Sequence, residues 1–102
     1  MPKAATAFGV LAITAYRLMN FDDIDFKGGT CRYIEPLGQD MLEVYYPNDF
    51  VIDVGYIEDS KTYYVTIIKS NDWTHIYKEI EAKSEVDLKN ALRYAIEYVT
   101  HL

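Results

Sequence analysis

The 102-residue sequence has few of the residues on which disulfide-stabilised folds and metal sites depend. Cys31 is the single cysteine, so no disulfide can form within the chain, as is typical of a reducing compartment. The two histidines, His75 and His101, are far apart in sequence and lack the spacing of a zinc site. We therefore expect no metal, no cofactor and a cytoplasmic location.

Long hydrophobic runs are also lacking. The most apolar stretch, 4–19, is shorter than the ~20 residues that a transmembrane helix needs, and Arg17 interrupts it. Its alanines favour a helix, whereas Gly9 and its β-branched residues leave a strand as the alternative. Because so apolar a segment must be buried, we expect it in the core of the chain or in a homodimer interface.

Basic residues are scarce, with ten Lys and Arg against sixteen Asp and Glu, and the net charge is −6. Such a chain lacks the basic surface that direct binding to nucleic acid or to an anionic membrane requires. The excess lies in the middle of the chain, because residues 21–59 hold ten acidic and two basic residues. The charges of residues 60–102 cancel.

The distribution of β-branched and aromatic residues predicts an antiparallel sheet. Residues 50–57, 62–69 and 74–81 are rich in such residues and are joined by short polar links, which favours a meander. Residues 41–46 predict another strand, and 21–35 predict two short strands joined at Gly28-Gly29. In the strand at 74–81, alternation places Ile76 and Ile80 on one face.

Residues 85–100 predict a helix. Ser84 is a good N-cap, and Leu88, Leu92 and Val99 belong to one apolar stripe. The polar side predicts ion pairs between residues four apart, such as Arg93 with Glu97. We therefore expect one α+β domain over 1–102, in which this helix and an N-terminal helix pack on one face of a sheet of four to six strands.

Catalytic motifs are missing from the sequence. His75 begins a strand and His101 is the penultimate residue, and neither accompanies a nucleophile and an orienting group. The sequence therefore nominates no catalytic residue and favours a binding role over catalysis.

The acidic middle region and the ten tyrosines together suggest an interaction surface. We expect a small acidic protein that binds a basic site on a protein partner, with its carboxylates displayed as one patch. One version is an inhibitor that occupies a nucleic-acid-binding cleft, as phage anti-restriction and anti-CRISPR proteins do. The expected binding residues are Asp22, Asp23, Asp25, Glu35, Asp40, Glu43, Asp49 and Asp53, with Tyr45 and Tyr46 as anchors.

The alternative function is a small-molecule-binding or catalytic α+β domain. Its pocket would lie between helix and sheet, lined by tyrosines and by Trp73, the single tryptophan. Such a domain would be dimeric through the apolar segment 4–19.

Overall fold

The computed structural model describes residues 21–34, 40–70 and 72–102. The elements in these ranges are β1 (Thr30–Tyr33), β2 (Leu42–Tyr45), β3 (Phe50–Ile57), β4 (Thr62–Lys69), β5 (Ile76–Ala82) and α1 (Glu85–Thr100). The helix expected at 4–19 lies outside the described residues, as does Glu35.

The five strands form one antiparallel sheet in the order β1-β2-β3-β4-β5. This order confirms the predicted meander, because the short links at 58–61 and 70–75 leave each strand next to its predecessor. The predicted strands at 50–57 and 62–69 form with the expected bounds. Both lie inside the sheet, where apolar residues such as Val54 and Val65 are fully buried.

Helix α1 covers one face of the sheet, which confirms the predicted α+β fold. The Ser84 Oγ accepts the backbone N–H of Asp87 at 3.1 Å and caps the first turn. Leu88 and Leu92, on the apolar side of α1, are fully buried with Val65 and Ile67 of β4. Among the described residues, no helix is both long enough and apolar enough to traverse a membrane.

The segment 21–29 is irregular, so the strand predicted before Gly28-Gly29 is wrong. The Ile24 N–H bonds to the Phe21 carbonyl at 3.0 Å, and both side chains are buried in the core. Their spacing of three residues is that of a turn and cannot serve one face of a strand. The tight turn itself is confirmed, with the Gly29 N–H bonded to the Phe26 carbonyl and a φ of 92° at Gly28.

A β-bulge in β5 changes the predicted orientation of its side chains. Ile76 lies opposite Ile68, whereas Ile80 lies opposite Val65, which faces α1. Tyr77 is the extra residue between these two registers. Because one added residue reverses the alternation, Ile76 and Ile80 point to opposite faces, and the prediction that they share a face is wrong.

The polar side of α1 pairs with other parts of the chain, where the sequence predicts pairs within the helix. Lys89 and Arg93 both donate hydrogen bonds to the Asp23 carboxylate, at 2.9 and 3.0 Å. Glu97 pairs with Lys27. These pairs hold the irregular segment 21–29 against α1.

Candidate binding site on the second face of the sheet

The second face is the side of the sheet that points away from α1. Antiparallel register places one residue from each strand in a line across it, here called the cross-strand row: Arg32, Glu43, Asp53, Thr66 and Glu79. Directly opposed side chains in such a row have Cβ atoms about 4.5–5.5 Å apart. The row therefore concentrates three carboxyl groups on adjacent or nearby strands.

Asp53 is the most unusual member of the row. Only 9% of the residue is exposed, and its Oδ1 atom accepts no hydrogen bond. Burial, together with the negative charges of Asp40 and Glu43, raises the pKa of Asp53 to about 7. The carboxyl group therefore exchanges its proton near neutral pH, and its charged form is stabilised by any cation that reaches it.

Glu43, by contrast, has partners. Its Oε1 accepts the Tyr45 hydroxyl at 2.6 Å, and the Arg32 guanidinium lies 3.6 Å away. The hydrogen bond to the carboxylate raises the pKa of Tyr45. Because Arg32 is directed to Glu43 at the edge of the sheet, it leaves the buried oxygen of Asp53 without a partner.

A groove of about 370 Å³ runs beside Asp53. Its lining comes from the interior strands β3 and β4 and from the edge strand β5: Asp53, Gly55, Tyr56, Ile57, Tyr64, Thr66 and Glu79. Gly55 lies opposite Tyr64 on the second face and contributes no side chain, which leaves room beside the tyrosine ring. The Thr66 hydroxyl donates to Glu79 Oε2 at 3.3 Å, so its own oxygen still has acceptor capacity.

Four of the predicted binding residues come together here. Glu43 and Asp53 are directly opposed, Tyr45 bonds to Glu43, and Asp40 lies close enough to Asp53 to raise its pKa. Their acidic and aromatic groups give the second face both of the features that the sequence analysis expected of a docking surface.

The three aspartates of the segment 21–29 lie elsewhere, so the predicted carboxylates do not form one patch. Asp22 and Asp23 are exposed near α1. The pKa of Asp23 is lowered, first by the hydrogen bond that Lys89 donates to it and to a smaller extent by the positive charges of Lys89 and Arg93. Asp25 accepts the backbone N–H of Lys27 at 2.9 Å. The chain itself thus supplies cations to part of its acidic middle region.

Two more predicted positions are separate from the row. Asp49 occupies the turn between β2 and β3 with a φ of 71°. Tyr46 is only 7% exposed, and its hydroxyl donates to the Phe26 carbonyl at 2.7 Å. Burial raises the pKa of Tyr46. Tyr46 belongs to the core because it points to the α1 side of the sheet, so it does not fit its expected role as a surface anchor.

No protein-family model, curated protein or solved structure matches this chain. Known proteins therefore supply no role for the residues of the second face, and the case for a function rests on their chemistry.

Sequence reasoning did not nominate Thr66 or Glu79. Both lie in the part of the sequence without excess charge, and only the register of the sheet brings Thr66 opposite Asp53 and Glu79 opposite Thr66. One signal was available, since Asp53 interrupts the apolar run from Phe50 to Ile57. An acidic residue inside an interior strand is typical of a buried group with a special role.

The alternative function would place its pocket between helix and sheet. That contact is filled by fully buried side chains such as Leu92 and Ile67, and Trp73 is 46% exposed in the β4–β5 connection. His75 is exposed and bonds through Nδ1 to Asp72 at 2.9 Å. Within 21–34, 40–70 and 72–102, no three His, Cys, Asp or Glu side chains are grouped to hold a metal ion.

Proposed function

We propose that the protein binds a basic site on another protein through the second face of its sheet. The supporting observation is that Glu43 and Asp53 are directly opposed there with Glu79 on the same row, and that the charge of Asp40 also acts on Asp53. Carboxylates of this kind pair with arginine and lysine side chains of a partner. Exposed groups such as Asp40 steer the encounter, while the half-buried Glu43 sets its position.

The cost of this arrangement in the free protein also supports the proposal. Glu43 and Asp53 are directly opposed, and like charges in that position destabilise a sheet. Local conflicts of this kind are commonest where a residue serves function more than folding. A basic partner relieves the repulsion, so the same charges that weaken the free sheet strengthen the complex.

The test begins with capture of partners by the tagged full chain, followed by binding measurements on the purified partner. The face variant carries Asp40→Asn, Glu43→Gln and Glu79→Gln. A matched control variant, Glu58→Gln, Asp59→Asn and Asp87→Asn, removes the same number of charges from exposed positions away from the row. Circular dichroism checks that both variants fold.

We expect the face variant to raise the Kd by about tenfold or more and the control variant by less than about twofold. An increase in salt from 50 to 500 mM is expected to weaken the native complex, because exposed charges are screened. Equal losses in the two variants, or an affinity that does not respond to salt, would contradict the proposal.

The proposal also specifies the kind of basic site that the partner presents. A cleft that binds nucleic acid is one such site, and a cytoplasmic location, where the thiol of Cys31 stays reduced, suits such a partner. Competition decides this point: if the partner's site is a nucleic-acid cleft, an oligonucleotide displaces the protein in proportion to its own affinity. Binding that is unaffected by a saturating oligonucleotide places the partner's site outside such a cleft.

A further inference from the structure

Asp53 lines the second-face groove and is nine-tenths buried, and its buried Oδ1 atom has no hydrogen-bond partner. Within the described ranges, it is the one buried side-chain oxygen or nitrogen atom that lacks a hydrogen bond. Buried polar atoms are paired in the great majority of cases, and exceptions occur where a ligand completes the pairing. This atom therefore marks the position at which a hydrogen-bond donor is missing.

The surroundings select a cationic donor. Asp40 and Glu43 add negative charge beside Asp53, and Arg32 is engaged at the edge of the sheet by Glu43. A metal ion requires several ligands at short range, and the described residues group no three suitable side chains. The remaining candidates are organic cations with N–H donors, namely ammonium and guanidinium groups.

The shape of the groove favours guanidinium. Asp53 and Thr66 both line the groove on directly opposed positions, and each carries a side-chain oxygen that can accept a hydrogen bond. This pairing suits the fixed fork of a guanidinium better than a single ammonium point charge. Tyr64 and Ile57 line the same groove and provide the aromatic and aliphatic surface on which a planar guanidinium and its alkyl chain pack.

We propose that the groove between Asp53, Thr66 and Tyr64 receives the guanidinium group of an arginine side chain from the partner protein. This assignment rests on the proposed function and specifies it, because it names the residue type that enters the second face. A free guanidinium metabolite has the same head group, so the test compares a protein-like arginine with free arginine.

The test is an NMR titration of the full-length, carbon-13-labelled protein at pH 8. The probes are N-acetyl-arginine-N-methylamide and N-acetyl-lysine-N-methylamide, which carry the same charge, and free arginine. We expect saturable shifts of the Asp53 carboxyl carbon and of the Gly55 and Tyr64 amides, with the capped arginine bound about tenfold more tightly than the capped lysine. No saturable shift, or equal affinity for arginine and lysine, overturns the proposal.

Free arginine distinguishes the two sources of the head group. A site for a partner's side chain binds the capped and free forms within about threefold of each other, because it contacts the guanidinium alone. A preference of tenfold or more for free arginine indicates a metabolite site that also reads the amino and carboxyl groups, and overturns the assignment to a partner protein.

Two variants and one change of pH keep the test decisive. Asp53→Asn should abolish the shifts, and Thr66→Val, which preserves side-chain shape, should weaken binding about fivefold. The charged groups that face Asp53 are Asp40, Glu43 on β2, Glu79 on β5 and, at the edge, Arg32 on β1. At pH 5.5, below the pKa of about 7, Asp53 holds its proton, so binding should fall several-fold; unchanged binding overturns the proposal.

The failure of this proposal is distinguishable from failure of the proposed function. If Asp53→Asn leaves the partner's Kd unchanged while the face variant raises it, the arginine site is wrong and the acidic docking surface stands. If neither variant changes the Kd, both are wrong.

Discussion

The two faces of the five-stranded sheet carry different kinds of side chain. The α1 face is apolar and closed, with Val54, Val65 and Leu92 fully buried against one another. The second face carries the cross-strand row, in which carboxyl groups face each other and one buried oxygen lacks a partner. The second face thus combines carboxyl groups with buried apolar side chains such as Val51 and Ile68, whereas the α1 face is apolar throughout its centre.

The difference arises from single positions in strands that otherwise look alike. In β3, Ile52 and Val54 point towards α1, while Asp53 and Gly55 point to the second face. A carboxylate and a glycine at the centre of a sheet contribute little to packing, which distinguishes these two positions from their neighbours on the α1 face. This contrast predicts opposite effects of mutation on the two faces.

The largest expected effect is the loss of a core side chain on the α1 face. Leu92→Ala removes a fully buried side chain of α1 and should lower the free energy of unfolding by about 2–5 kcal/mol. Urea denaturation measures it, with Val86→Ala on the exposed side of α1 as the control, expected to change stability by less than ~0.5 kcal/mol. Similar losses in both variants would show that α1 does not cover the core as described.

A polar substitution on the second face should act in the other direction. The folded-state pKa of Asp53, about 7, exceeds the unfolded value of ~3.9, so the folded state binds the extra proton. The contribution of this group to stability is therefore greatest below about pH 4, falls as the pH rises to about 7 and stays low above it. At pH 8, Asp53→Asn should raise the free energy of unfolding by roughly 2–4 kcal/mol.

Denaturation of Asp53→Asn and of the native protein from pH 4.5 to 8 measures this effect, because the gain should shrink as the pH falls. The control is Asp59→Asn, which removes the same charge from an exposed turn. A variant that is less stable than the native protein at pH 8 would mean that the carboxylate of Asp53 has a stabilising partner.

An intermediate effect is expected where the turn before β1 meets the α1 face. A Cβ atom at Gly29 would lie 2.5 Å from Val44 Cγ1 and 2.7 Å from Tyr46 Cζ, so Gly29→Ala should cost about 1–3 kcal/mol. At Gly28, where φ is 92°, nothing lies within 4 Å of the added atom, and Gly28→Asn should cost less. Thermal denaturation of both variants measures the two losses. A greater loss of stability in Gly28→Asn than in Gly29→Ala would contradict this prediction.

The smallest effect is expected at the ion pairs between the segment 21–29 and α1. Asp23→Asn breaks the bonds to Lys89 and Arg93, but the carboxylate is exposed and its charges are screened. Stability should fall slightly at low salt and match that of the native protein at 1 M salt. A loss that persists at high salt would show that Asp23 contributes through packing or direct hydrogen bonds more than through charge.

Much of the α1 face was predictable from the sequence, whereas the second face was not. The bounds of β3, β4 and α1 follow from local patterns, because turns, apolar alternation and the Ser84 cap act over a few residues. The cross-strand row depends on register across five strands, so the sequence could nominate Asp53 but could not place Thr66 and Glu79 in the same row. The bulge at Tyr77 could not be predicted either, because apolar and polar residues alternate in the sequence of β5 as they would in a regular strand.

The expectation of a single acidic patch failed for a related reason. Sequence proximity groups Asp22, Asp23 and Asp25 with Glu43 and Asp53, yet the segment 21–29 turns towards α1. The sequence gives the net charge of a region, whereas the tertiary structure decides which of its carboxylates are paired with lysine or arginine and which are not.

The most direct test of this account is a carbon-13 NMR titration of the Asp53 side-chain carboxyl in the free protein. A buried carboxyl with an unpartnered oxygen should titrate with a midpoint near pH 7. A midpoint near pH 4, the value of an ordinary exposed aspartate, would contradict the account, since it would mean that Asp53 is solvated or already paired.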